Sequence, residues 1–272
     1  MTTSPKSAVP TTPPPSDAPP LWRLLQATAA CVLAVRGGRS GTAALEQVDT
    51  TLRPAVQALS FQVWRSLARA EHLRRLLAAR APPPAADALL CAVLALAWDE
   101  THAPYPSFTL VDQAVEAAKR QRATQPQSGF INACLRRFLR EREALVAASE
   151  RDPVAVWNHP AWWIAQLRKD HPQHWQQVLA ADRQHAPMTL RVNARRTTQA
   201  DYLAVLSADG IAAEAVGTVG VQLARPLPVQ RIPGFAAGWV SVQDAAAQRA
   251  APLLLDGLPR RQDERPWRVL DA

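Results

Sequence analysis

Between Lys119 and Arg142 the sequence places seven positive charges, Lys119, Arg120, Arg122, Arg136, Arg137, Arg140 and Arg142, against one negative charge, Glu141. On a helix, residues three and four apart are neighbours, so Arg136, Arg137 and Arg140 are expected on one sector. Such a sector can hold phosphates, which supply affinity without reading sequence. A solvated basic helix face would carry the same charges. A second group, Arg191, Asn193, Arg195 and Arg196, falls where a short strand ends. It sets positive charge beside an amide able to bond a base or a phosphate, and a polar strand end fits it equally well.

Other residues with chemical potential are read as packing. Cys31, Cys91 and Cys134 are odd in number and lack a Cys-x-x-Cys spacing, so neither a disulfide framework nor a zinc site is expected. Each sits in an apolar helical pattern, as a small core residue would. His171 and His174 are the only pair of the 159–185 histidines at helical spacing, and Pro172 interrupts them, so no metal is expected. Trp22, Trp64, Trp98, Trp162, Trp163 and Trp175 occupy apolar helical positions, which points to core packing ahead of base stacking.

These residues belong to a chain of 272, enough for about two domains. Formal charge is +8, and an excess of this kind favours a polyanionic partner, nucleic acid being the commonest. Arginine and alanine enrichment can also follow from a GC-rich genome, so composition adds little by itself. The longest apolar stretch, Ala88 to Trp98, is too short to span a bilayer. The first twenty residues hold seven of the 24 prolines, with no apolar segment after a basic start. They are expected to be a disordered tail, not a signal peptide. The cysteine usage suits a reducing cytoplasm.

The elements that must position the candidates follow from periodicity. Helices are predicted over Leu21–Val35, closing at Gly37-Gly38, and from Pro54 through to Leu77. Pro82-Pro83-Pro84 breaks the chain, Leu89–Trp98 is apolar all round and should be central, and Val111–Ala118 and Phe130–Leu145 complete an all-α bundle. After Asp152-Pro153 the pattern changes. Helices are expected at Trp157–His171 and Trp175–Arg183, a strand at Met188–Asn193, a helix opened by Thr198 with Asp201 three residues on, and strands at Ile211–Val216 and Val221–Ala224. A strand at Gly238–Asp244, a helix over Ala245–Leu255 and a strand at Trp267–Ala272 end the sequence. The closing Arg268-Val269-Leu270-Asp271-Ala272 has the form of a first strand in a nucleotide-binding fold, without the Gly-rich turn that would follow.

Several segments carry a family resemblance. Val111-Asp112-Gln113-Ala114-Val115-Glu116-Ala117-Ala118-Lys119 followed by Gly129-Phe130-Ile131-Asn132-Ala133-Cys134-Leu135-Arg136-Arg137 resembles the end of a NusB-like RNA-binding domain. Asn158-His159-Pro160-Ala161-Trp162-Trp163, Pro187-Met188-Thr189-Leu190-Arg191-Val192-Asn193, and Pro233-Gly234-Phe235 through Gly238-Trp239-Val240-Ser241-Val242-Gln243-Asp244-Ala245 then occur in order. Together they resemble the Sun/Fmu family of bacterial 16S ribosomal RNA cytosine-C5 methyltransferases; Ala246 stands where that family often has serine.

The resemblance implies a multidomain architecture. Residues 1–20 would be a tail, 21–150 a NusB-like helical domain, 151–238 a small α/β domain akin to an RNA-recognition platform, and 239–272 the incomplete start of a Rossmann-like methyltransferase domain. It implies S-adenosylmethionine as cofactor, 16S ribosomal RNA as partner, a cytoplasmic monomer, and no membrane or metal. The family's donor-binding loop and both catalytic cysteines would follow Ala272, so this chain is expected to supply RNA binding and to be inactive alone. RNA contacts are then expected from Lys119, Arg120, Arg122, Arg136, Arg137, Arg140, Arg191, Asn193, Arg195 and Arg196. A stand-alone NusB-like RNA-binding module, acting in antitermination or RNA assembly, is the alternative. An enzyme acting on small molecules fits less well with a basic helical domain.

Overall fold

The structure, a computed structural model, describes residues 19–256. The expected tail, apart from Pro19 and Pro20, and the expected strand at 267–272 lie outside the described residues. The chain divides into two compact units, residues 1–184 and 185–272.

The first unit is helical. Its elements are α1 (Leu21–Arg36), α2 (Gly41–Glu46), α3 (Arg53–Trp64), α4 (Leu67–Leu77), α5 (Pro84–Ala97), α6 (Ser107–Lys119), α7 (Ser128–Ser149), α8 (Pro153–Trp157), α9 (Ala161–Asp170) and α10 (Trp175–Asp182). Helix α5 is the hub, packed by α1, α3, α4, α6 and α7. Apart from Asp87, every residue from Ala86 to Ala97 is buried, as an all-round apolar helix requires. Asp87 lies in the first turn, where the helix dipole favours an anion. Its carboxylate meets Arg36 of α1 and Arg74 of α4, each at 2.9 Å, tying three helices. The Arg36 contact is a hydrogen bond, whereas Arg74 approaches off the line of its N–H, so that attraction is Coulombic.

The helix predicted to run from Pro54 to Leu77 is two helices, broken at Arg65-Ser66. The break leaves the Trp64 carbonyl and the Ala68 N–H without helical partners, and one distant side chain satisfies both. The Asn158 amide donates to Trp64 O at 2.7 Å and accepts from Ala68 N at 2.9 Å. Asn158 is itself left-handed (φ 57°) and closes α8, so the helix expected over Trp157–His171 starts only at Ala161. A short helix, α2, was also not expected; Ser40 caps it by accepting from Ala43 N. The turn after α1 closes as predicted, with Gly37 at the cap and Gly38 at φ +89°.

Helices α8 to α10 group with the bundle, so the compact division falls after Gln184. Helix α8 packs on α4. Asp152 caps α8 through Val154 N and holds His72 of α4 at 2.7 Å. A separate apolar cluster of Ile164, Leu167 and Leu179, flanked by Trp157, Trp163 and Trp175, joins α9 to α10.

The second unit is a four-stranded antiparallel sheet, β1 (Met188–Val192), β2 (Ala213–Val216), β3 (Gly220–Leu223) and β4 (Val240–Val242), in the order β2-β3-β1-β4. Helix α11 (Gln199–Ala208) starts at Thr198, whose hydroxyl bonds both the N–H and the carboxylate of Asp201 as the spacing predicted. Tyr202 and Leu206 of α11 pack against Leu190, Val192, Val221, Leu223 and Val240. Strand β4 pairs with β1, so within the described residues it completes this sheet and does not open another. The helix expected over Ala245–Leu255 is a 3₁₀ turn at Ala247–Arg249 followed by α12 (Ala250–Asp256).

The Pro233-Gly234-Phe235 segment is a structural turn. Gly234 has φ +69°, and a Cβ there would lie 2.7 Å from the Trp239 ring. The buried Tyr202 hydroxyl donates to Pro233 O at 2.9 Å.

Candidate nucleic-acid interface

The first basic group spans the α6–α7 junction. Thr124 is buried and donates to Ala118 O at 2.9 Å, closing α6 and turning the chain towards α7. The α6 motif has a structural duty as well. Gln113 accepts from Trp22 N at 3.2 Å, supplying the cap that Pro20 cannot give α1.

The arginines of this region do different jobs. Arg120 pairs with Glu116 and lies 4.6 Å over the Trp22 ring. Arg142 is held by Glu100 at 2.7 Å and Ser107 Oγ at 2.6 Å. Arg137 is half-buried, pairs with Glu141 at 3.0 Å and donates to Leu77 O at 3.2 Å. The expected sector of Arg136, Arg137 and Arg140 is therefore split. Arg136 and Arg140 stay exposed one turn apart, while Arg137 turns to brace the end of α4. Among the described residues Arg136 bonds only Asn132, at 3.1 Å. Lys119, Arg122 and Arg140 are exposed and unpaired among the described residues.

Sequence reasoning missed Arg80. It lies alone between alanines in the α4–α5 linker, so no charge run marks it. In the fold it is exposed, unpaired among the described residues, and lines a pocket of about 460 Å³ with Pro82, Pro83, Gln127 and Phe130. Its position could be found only from the packing of that linker against α7.

In the second group, Arg191, Arg195 and Arg196 are exposed. Arg191 reaches Gln243 at 3.5 Å, and the other two have no side-chain partner among the described residues. Asn193 shapes a turn: its amide donates to Gly238 O at 3.0 Å and accepts from Arg195 N at 3.1 Å. That occupies much of the bonding expected for a base or phosphate. On the strands, the face opposite α11 carries Arg191, Gln222, Glu214 and Ser241, with no aromatic ring for stacking.

The three cysteines are free and buried. Burial pushes the Cys91 thiol up to about 12, with the Asp87 charge adding to it. Burial also raises Cys31 and Cys134. All three stay protonated at neutral pH and serve packing, as expected. The tryptophan expectation fails at Trp162, which is 69% exposed. Trp22, Trp64, Trp98, Trp163 and Trp175 are half-buried.

Among the described residues no group of three or more His, Cys, Asp or Glu could hold a metal ion, and no helix is long and apolar enough to cross a membrane. A donor-binding turn needs glycine where a strand enters a helix, so that backbone can approach the ligand. The β1–α11 turn, Asn193 to Thr198, has none, and the described strands are all antiparallel. The described residues do not fit S-adenosylmethionine.

Residues 33–140 match the NusB family, and residues 159–230 match the RsmF/B-like methyltransferase ferredoxin-like domain. The chain is 37% identical over 236 residues to ribosomal RNA small subunit methyltransferase B of Pseudomonas putida, covering 84% of this chain and 54% of that protein. The proteins of that name from Pseudomonas syringae pv. tomato and Vibrio cholerae are 36% and 33% identical, over 77% and 80% of this chain and 47% and 51% of theirs. The crystal structure of PH0851 shares the fold, with a TM-score of 0.57 at 13% identity over 88% of this chain and 56% of that one. The chain spans about half the length of the curated relatives it matches, and it belongs to the ribosomal RNA small subunit methyltransferase B family.

Proposed function

We propose that the chain is the RNA-holding part of a cytoplasmic enzyme that methylates cytosine C5 in 16S ribosomal RNA with S-adenosylmethionine. The observation that carries this reading is the set of exposed cations without acidic partners, Arg80, Lys119, Arg122, Arg136 and Arg140, on the helical unit. All five fall within the NusB match. Arg191, Arg195 and Arg196 extend RNA contact to the second unit. Of the residues first singled out, Arg120, Arg137 and Asn193 act mainly as supports.

Cytosine C5 is a poor nucleophile, and a thiolate adding to C6 turns it into an enamine-like carbon able to accept a methyl group. The described cysteines cannot supply that thiolate, being buried and protonated. Donor binding and the attacking thiol are assigned to the further length that the relatives possess.

Titrating the chain with a small-subunit RNA hairpin at several salt concentrations tests the reading. Binding should weaken steeply with salt, the logarithmic slope reflecting about 0.7 to 0.9 per phosphate contact. Salt-insensitive binding, or none at low salt, would contradict it. In calorimetry the same chain should bind S-adenosylmethionine weakly or not at all; micromolar affinity would contradict the assignment of the donor site.

A further inference from the structure

Helix α9 presents the one exposed tryptophan among the described residues. Trp162 is 69% exposed, although burying a ring of this size is among the larger apolar gains available to a fold. The ring is held from behind, edge-to-face against Trp163, with centroids 5.6 Å apart. Trp163 in turn packs on the Ile164, Leu167 and Leu179 cluster. The chain just before it is fixed too. Asn158 bonds Trp64 and Ala68, and His159 lies 2.7 Å from Trp157 O and 3.3 Å from Asp182. One and two turns on, the same stripe of α9 carries Gln166 and Lys169, both exposed. The Gln166 amide donates to Asp170 at 2.7 Å, leaving its carbonyl free, and Lys169 has no partner among the described residues. Over seven residues a helix rises about 10 Å, which sets the Trp162 and Lys169 backbone positions one to two nucleotides of extended strand apart.

We infer that this stripe is a nucleotide-binding platform: an unpaired RNA base stacks on Trp162, and a neighbouring phosphate is met by Lys169. The inference rests on the proposed RNA-holding role and adds a contact that favours single-stranded over paired RNA. Stacking tolerates any base, because each offers a π face, and it adds no counterion release. The ring therefore contributes preference for unpaired segments, while the lysine contributes charge.

The test compares the 272-residue chain with Trp162→Ala, Trp162→Phe and Lys169→Gln variants. Anisotropy titrations use a small-subunit hairpin with a single-stranded loop and a fully paired duplex of the same length. Trp162→Ala should lose about 5- to 150-fold in affinity for the hairpin, with little change for the duplex and an unchanged salt slope. Trp162→Phe should recover most of that loss. Lys169→Gln should lower the hairpin slope by about 0.7. Melting temperatures should match, since the ring is exposed. If Trp162→Ala binds the hairpin like wild type while Arg136→Gln/Arg140→Gln flattens the slope, the platform is refuted and the RNA-holding role stands. If wild type binds neither RNA, both fall. If wild type self-associates in sedimentation and Trp162→Ala does not, the ring is covered by a second copy of this chain, which also overturns the platform.

Discussion

The helical unit sets many of its arginines against carboxylates, whereas the described arginines of the sheet unit form no ion pair. In the helical unit Arg36, Arg69, Arg74, Arg120, Arg137 and Arg142 are struts, each facing a carboxylate. In the sheet unit Arg191, Arg195, Arg196, Arg225, Arg231 and Arg249 are exposed, and none forms an ion pair among the described residues. The reason is geometric. A bundle has long helices to tie together, and guanidinium groups crossing between them satisfy carboxylates and carbonyls that would otherwise be stranded. A small sheet is held by its strand ladder and the apolar face beneath α11, leaving its arginines on the rim. Counting basic residues thus overstates the free positive charge of the first unit far more than that of the second.

The comparison breaks most visibly if a strut is removed. Asp87 is half-buried between two guanidinium groups, so Asp87→Ala leaves the largely buried Arg74 without its carboxylate and Arg36 with Glu71 alone. It should cost about 3 kcal/mol or more of stability in urea unfolding. Arg195→Gln/Arg196→Gln, on the sheet rim, should change stability by about 0.5 kcal/mol or less. Equal costs would refute the division into struts and free charges.

Asn158→Ala should have the next largest effect. It removes a donor and an acceptor that serve two orphaned backbone groups, at about 1 to 1.5 kcal/mol each, or roughly 2 to 3 kcal/mol together. Hydrogen exchange should quicken at Ala68. A loss confined to α8, with the α3–α4 break unaffected, would show that the break is closed some other way.

Smaller still is a pH effect at the α4–α8 contact. Burial pushes the Asp152 carboxyl up, but bonds from His72 and the Val154 N–H outweigh it and hold the group below its ordinary 3.8. A depressed carboxyl stabilises the fold above its unfolded value, and that share is lost as pH falls through the folded one. Stability should therefore decline below about pH 4 by more in wild type than in Asp152→Asn. Parallel declines would remove Asp152 from the account.

These residues also show what the sequence could and could not reveal. Helix α5 was legible because it is apolar on every side, and α11 because Thr198 and Asp201 stand at capping distance. Gly37-Gly38 announced the end of α1. The α3–α4 break was not legible, because nothing between Pro54 and Leu77 signals it; the side chain that makes it tolerable comes about ninety residues later. The candidate interface was half legible. Charge runs flagged the α6–α7 junction, but they could not separate Arg137, which braces Leu77, from Arg136 and Arg140, which face solvent. Arg80 had no run to announce it. Trp162 looked like core because its spacing is apolar, whereas exposure depends on which side of α9 meets the Leu179 cluster.

On the proposed function, exposed, unpaired cations hold RNA while paired ones hold the fold. Salt titration of two double variants tests it most directly. Arg136→Gln/Arg140→Gln should keep the wild-type melting temperature and lower the slope of log affinity against log salt by about 1.4 to 1.8 units. Arg137→Gln/Arg142→Gln should lower the melting temperature and leave the slope near wild type. The opposite pattern, a wild-type slope in the first variant and a flattened one in the second, would contradict the claim.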